Sequence, residues 1–142
     1  MPRLRAQRLY FLSMKPLKLD RTFAVLGPDL RVTPVPVTPG VYEELDARFA
    51  GFRSHVLVSL YAFDTDWPTW EIHPAGDEIV VLLSGCATLK VQTREGERQT
   101  VLSEAGSYFV VPRNTWHTAK TSEHTRMLFI TPGEGTENRI EE

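Results

Sequence analysis

The segment WEIHPAGDEIVVLLSG, residues 70–85, sets Glu71, His73 and Glu78 around a short turn between two runs that read as strands. Carboxylates and imidazoles bind divalent cations and move protons, so this crowding is a chemical signal. If the run before the turn is extended, alternation puts Glu71 and His73 on one face with Ile72 opposite. Pro74, Ala75, Gly76 and Asp77 supply the residue types that reverse a chain, which returns Glu78 beside them. A fourth candidate is His117, which follows Trp116 at the end of another apolar run, GSYFVVPRNTWHTAK. Two histidines with one or two glutamates on rigid strands satisfy a divalent ion. If Glu71 ligates, the set is Glu71, His73, Glu78 and His117, which favours manganese or iron and still allows zinc or nickel. If Glu71 turns to substrate instead, it is a candidate general base. His73, Glu78 and His117 then form a two-histidine, one-carboxylate set with open positions, the arrangement of non-haem iron and oxygen chemistry.

Other residues carry weaker signals. Trp70 and Trp116 adjoin the proposed ligands and either shape the mouth of a pocket or pack as core aromatics. Tyr61 and Phe63 share one face of a strand that could look inward, where Tyr61 could donate a hydrogen bond or a proton; core packing is the simpler account. Cys86 has no neighbouring base in sequence and reads as an inert thiol. His55 and His124 read as ordinary. No phosphate-cradling glycine loop precedes a helix, and no serine sits in a nucleophile elbow.

The elements that must hold these residues are short. Apolar runs at 56–63, 79–83, 87–91, 108–111 and 127–130 alternate with turn-forming clusters, which predicts a β sandwich or barrel. Pro34, Pro36 and Pro39 interleave with Val32, Val35 and Val37, predicting an extended segment at a sheet edge, where a missing N–H is tolerated. Tyr42, Leu45, Phe49 and Phe52 recur at helical spacing and predict one amphipathic helix closing near Gly51, its aromatic stripe packed on the core. The acidic tail GEGTENRIEE reads as solvated.

The chain resembles the cupin family, which is recognised by the motifs G(x)5HxH(x)3-4E(x)6G and G(x)5PxG(x)2H(x)3N. His73, four residues, Glu78, six residues and Gly85 match the second half of the first motif. Gly106, five residues, Pro112 and then His117 match the second. The departures are Thr65 for the opening glycine, Glu71 for the first histidine, Asn114 for glycine and Thr121 for the terminal asparagine. Asparagine is among the residues that tolerate left-handed backbone, so Asn114 is a mild change. Glu71 is the consequential one. The two motifs with their spacer cover residues 65–121. The resemblance implies an all-β, cupin-type jelly-roll barrel (double-stranded β-helix), here with one short helix and an N-terminal arm. It implies ligands facing one divalent metal inside the barrel, and a homodimer formed by sheet packing, with the Pro-rich segment contributing.

Composition bounds the function. A length of 142 residues suits one domain, expected over 21–142. Residues 1–20 carry five Lys/Arg and no acid before Asp20, too weak an apolar run for a secretory signal. They read as a flexible basic extension, or as a start placed upstream of Met14. A net charge of −2 gives no reason to propose a nucleic-acid or membrane partner, which leaves small molecules. No run approaches the ~18 apolar residues of a membrane span. One cysteine excludes an intramolecular disulfide framework, compatible with a cytoplasmic location. The expectation is a metal-dependent isomerase, lyase or dioxygenase acting on a small organic molecule. The alternatives are a non-catalytic cupin that binds or senses such a molecule, with or without metal, and a vestigial pocket.

Overall fold

The computed structural model describes residues 14–141. Residues 1–13, most of the expected basic extension, and residue 142 lie outside the described residues. The described chain runs β1 (Thr22–Leu26), β2 (Val32–Pro36), α1 (Val41–Arg48), β3 (Val56–Phe63), β4 (Thr69–Ile72), β5 (Glu78–Ser84), β6 (Ala87–Thr93) and β7 (Gly96–Leu102). It continues with β8 (Tyr108–Val111), β9 (His117–Lys120), β10 (Thr125–Thr131) and β11 (Glu137–Ile140). Two antiparallel sheets result, in the orders β2-β1-β3-β10-β5-β8 and β11-β4-β9-β6-β7. Consecutive strands repeatedly cross from one sheet to the other, as in a jelly roll. No helix among the described residues is long and apolar enough to cross a membrane.

Period-two alternation builds the interior. On β5 the buried positions are Glu78, Val80 and Leu82; on β10 they are Thr125, Met127, Phe129 and Thr131. The apolar ones among them, Val80, Leu82, Met127 and Phe129, make one cluster between the sheets with Ala87, Leu89, Leu102, Val111 and Ala119. A second cluster places Val41 and Leu45 of α1 against Phe23, Val25, Val35, Phe52 and Leu57. Glu78 is therefore in phase with core residues, a position where a carboxylate needs a partner.

The predicted strands and the edge segment are present, with β2 at the end of its sheet. Two expectations need correction, and one strand goes beyond what the apolar runs predict. The helix stops at Arg48, and the chain then passes through positive φ at Ala50, Gly51, Phe52 and Ser54. Phe52 packs from this irregular turn rather than from a helix face. The acidic tail does expose its side chains, but its backbone pairs with β4, Asn138 opposite Glu71. Finally, the polar GERQTVL run forms β7, whose hairpin with β6 carries it despite its weak apolar pattern.

Candidate metal centre

Glu71 sits on β4 opposite His117, the first residue of β9, so both side chains point to one side of the sheet. His73 follows one residue beyond β4, and Glu78 opens β5 on the facing sheet. The turns that carry the two histidines are tied together. Asn114 N–H donates to the His73 carbonyl at 3.0 Å. Arg113 donates from its backbone N–H to Asp77 Oδ1 and from Nε to the Pro74 carbonyl, each at 2.7 Å. Asn114 holds φ 61°, the left-handed conformation for which asparagine is suited. Thr121, in place of the motif's asparagine, donates through Oγ1 to the Cys86 carbonyl, and its N–H donates to Asp66 Oδ1. It locks the turn beyond β9.

The four side chains predicted from sequence meet. His73 Nε2 lies 3.1 Å from Glu78 Oε2 and 3.7 Å from Glu71 Oε2, and His117 Nε2 lies 3.1 Å from Glu78 Oε1. Ligand atoms of Glu71, His73 and His117 fall within 4.8 Å of one another, a group that could hold a metal ion. His73, Glu78 and His117 are buried, while Glu71 keeps about a third of its side chain exposed.

Hydrogen bonding fixes which imidazole nitrogen faces inward. His117 Nδ1 is 3.1 Å from the Thr115 carbonyl, which can only accept. His73 Nδ1 is 2.8 Å from Thr136 Oγ1, whose single hydrogen goes to the Gly133 carbonyl, so the hydroxyl accepts from the ring. Both Nδ1 atoms thus carry hydrogen, and in a neutral ring each Nε2 presents a lone pair to a carboxylate. That is repulsive unless a positive charge lies between them. His73 Nε2, His117 Nε2 and Glu78 Oε1 are also buried without a well-formed hydrogen bond. A divalent cation satisfies all three, and the nitrogen and oxygen donors suit it. The residues therefore fit a metal.

The electrostatics follow from the same contacts. Burial works against ionisation of Glu78, but the His117 and His73 imidazoles outweigh it and hold the carboxyl at about 2. Burial, then the Glu78 charge, pushes Glu71 above the usual carboxylate range, against the pull of both histidines. Burial disfavours the charged His117 ring, yet the Glu78 contact and charge raise its pKa overall. Thr131 donates to Glu78 Oε2 and steadies the carboxylate from β10.

Glu71, His73, Glu78 and Thr131 line a cavity of about 890 Å3. Tyr61 and Phe63 line it, but Trp70 and Trp116 do not: Trp70 alternates away from Glu71 and Thr69, and both indoles lie against the Arg139 guanidinium, at 5.6 and 4.5 Å. Sequence reading missed Tyr42, Trp67, Phe129 and Thr136. The spacing puts Tyr42 in the core stripe of the helix, but it lies at the stripe's edge, about 100° around from Val41, where its ring meets Phe23 and lines the cavity. Its hydroxyl hydrogen-bonds that of Tyr61. Burial pushes both phenols above their usual pKa. Thr136 carried no signal, because its role depends on a contact 63 residues away in sequence.

No protein-family model and no curated protein sequence matches this chain. Solved structures do. An oxalate oxidase in complex with glycolate aligns with a TM-score of 0.50 and 21% identity over 58% of this chain and 45% of its own. A mutant of Bacillus subtilis oxalate decarboxylase gives 0.49 and 19% over 60% of this chain and 23% of its own. A cupin superfamily protein from Desulfitobacterium hafniense gives 0.44 and 23% over 54% of this chain and 65% of its own. The chain thus spans less than half the length of the two oxalate enzymes. With two antiparallel sheets enclosing a cavity, and a structural match to oxalate oxidase at that level, the chain has the cupin fold.

Proposed function

We propose that this protein is a divalent-metal-dependent enzyme acting on a small organic molecule held in the barrel cavity. The observation that carries this reading is the grouping of Glu71, His73 and His117 ligand atoms within 4.8 Å of one another, with both imidazole Nε2 atoms and Glu78 Oε1 buried without a hydrogen-bond partner. His73, His117, Glu78 and Glu71 would hold the ion, and two carboxylates with two imidazoles place manganese or iron ahead of zinc or nickel. The bound ion would supply Lewis acidity at a substrate oxygen. Glu78, held ionised, balances the charge of the centre. Glu71, the most exposed of the four and the one whose carboxyl is raised, is placed to take or return a substrate proton when it does not ligate. Isomerase, lyase and dioxygenase chemistries all use such a centre.

Elemental analysis of protein purified without added metal, repeated after incubation with manganese, iron, zinc and nickel, tests the centre. About one ion per chain is expected in wild type and none in His117→Ala. No uptake of any of the four ions would overturn the site. The replacement of the family's first histidine by Glu71 favours a second reading, a non-catalytic cupin that binds or senses its ligand. The two part on turnover, since a binding module retains metal and ligand yet yields no product. A homodimer belongs to the same proposal, and light scattering is expected to give twice the monomer mass.

A further inference from the structure

The cavity beside the metal centre has a wall and a charge that restrict what can enter. Its wall is a run of aromatic rings in mutual contact: Tyr61 against Phe129 at 6.2 Å, Phe129 against Trp67 at 5.7 Å, Trp67 against Phe63 at 5.8 Å and against the His117 ring at 6.5 Å. The aromatic surface therefore runs up to a metal-ligating imidazole. At one end of this run stands the Tyr42–Tyr61 hydroxyl pair. Two hydroxyls share one hydrogen bond, so one O–H of the pair is left to donate elsewhere.

Apart from the imidazoles of the centre, the charged side chains that line the cavity are acidic. Glu71 and Glu78 lie at the metal centre, and Glu43 and Asp46 of α1 stand at the exposed rim. No Lys or Arg lines the cavity among the described residues. A divalent ion offsets two of these four carboxylates and leaves an acidic surround. A small dianion entering here meets like charge with no basic side chain to pair it, and desolvating it unpaired is costly. The remaining polar groups are neutral, among them Ser59, Thr69 and Asn138.

Resting on the metal-centre reading above, we infer that the substrate is an uncharged ring compound bearing hydroxyl groups, stacked on the Trp67–Phe129 wall with an oxygen directed to the metal, and not a small dicarboxylate. The cupin fold shared with an oxalate oxidase does not carry that substrate over, because the charge of the cavity opposes it. The Tyr42–Tyr61 pair acts as a specificity device by donating its one remaining O–H to a ring hydroxyl.

The test is calorimetric titration of the protein, metal-loaded and metal-free, with 4-methylcatechol and with oxalate, the metal content of each sample being measured separately. The metal-loaded protein is expected to bind 4-methylcatechol at least tenfold more tightly than oxalate, and the metal-free protein to keep weaker binding of the ring compound alone. Tyr61→Phe is expected to weaken 4-methylcatechol binding three- to tenfold with metal content unchanged. Glu43→Gln/Asp46→Asn is expected to narrow the preference by improving oxalate binding. Metal present with oxalate bound as tightly as the catechol, or with Tyr61→Phe without effect, overturns the inference and leaves the metal centre standing. No metal uptake with ring binding retained overturns the metal centre and leaves the aromatic preference standing; loss of both overturns both.

Discussion

Thr136 shows how a residue outside every motif can govern the centre. Its hydroxyl accepts from His73 Nδ1–H and is itself anchored to the Gly133 carbonyl, which holds the ring with Nε2 inward. Partners of this kind are worth about 10–100-fold in metal affinity. Thr136→Val is nearly isosteric and is expected to weaken metal binding by that order while the far-ultraviolet circular dichroism stays that of wild type; competition with a chromophoric chelator measures it. Thr136→Ser, which keeps the hydroxyl, is expected to restore most of the affinity. Glu71 separates two functions in the same way. Glu71→Gln removes the charge but keeps an oxygen donor, so metal retention with lost turnover would mark it as the proton carrier. Loss of metal in Glu71→Gln and Glu71→Ala alike would mark it as a ligand.

At the scale of elements, the turn that carries His73 and the turn before β9 are tied to each other. His73 lies past the end of β4, and its position depends on Asn114 N–H and the Arg113 side chain from the turn before β9. Asn114→Gly is expected to be tolerated, since glycine adopts φ near +60° freely, whereas Asn114→Val is expected to cost about 1–3 kcal/mol and to loosen the metal site with it. Gly85 is the stricter position, with φ 87° and a Cβ that would fall 2.4 Å from the His124 carbonyl oxygen. Gly106 has φ 90° but open space around it. Gly106→Ala should therefore cost only the backbone strain, about 1–3 kcal/mol, and Gly85→Ala clearly more, because a backbone carbonyl must also move. Urea unfolding of the two variants compares them directly.

For the whole molecule, the charges of the centre set a pH profile. The Glu78 carboxyl is held at about 2, so in metal-free protein its contribution is complete above its ordinary value of 4.5 and is lost as pH falls towards 2. The His117 ring is raised, so its contribution is complete below 6.5 and is lost as pH rises through its raised value. Both of these contributions are complete between those ordinary values, while the raised Glu71 carboxyl adds stability that is lost as pH rises above 4.5. Metal-free protein should therefore be most stable towards the acid end of that window, with urea midpoints falling on either side. Bound metal replaces the proton on His117 Nε2, so loading is expected to remove the alkaline fall and to add about 2.7 kcal/mol at a hundredfold excess over Kd. How much of this was legible in the chain differs by kind of interaction. Period-two alternation and turn residues marked most of the strands, β7 excepted, and the offsets of His73, Glu78, Gly85, Gly106, Pro112 and His117 pointed to a donor set through their resemblance to the cupin motifs, because both patterns are written along the sequence and need no knowledge of partners. Trp70 and Trp116 were ambiguous because sequence adjacency to a ligand does not say which face of a strand is enclosed. Only the tertiary structure decided that Glu78 stands between two imidazoles, that Thr136 orients one of them, that the tail strand flanks Glu71, and that the cavity is aromatic and acidic. Each of those depends on contacts between segments distant in sequence, which no local pattern encodes.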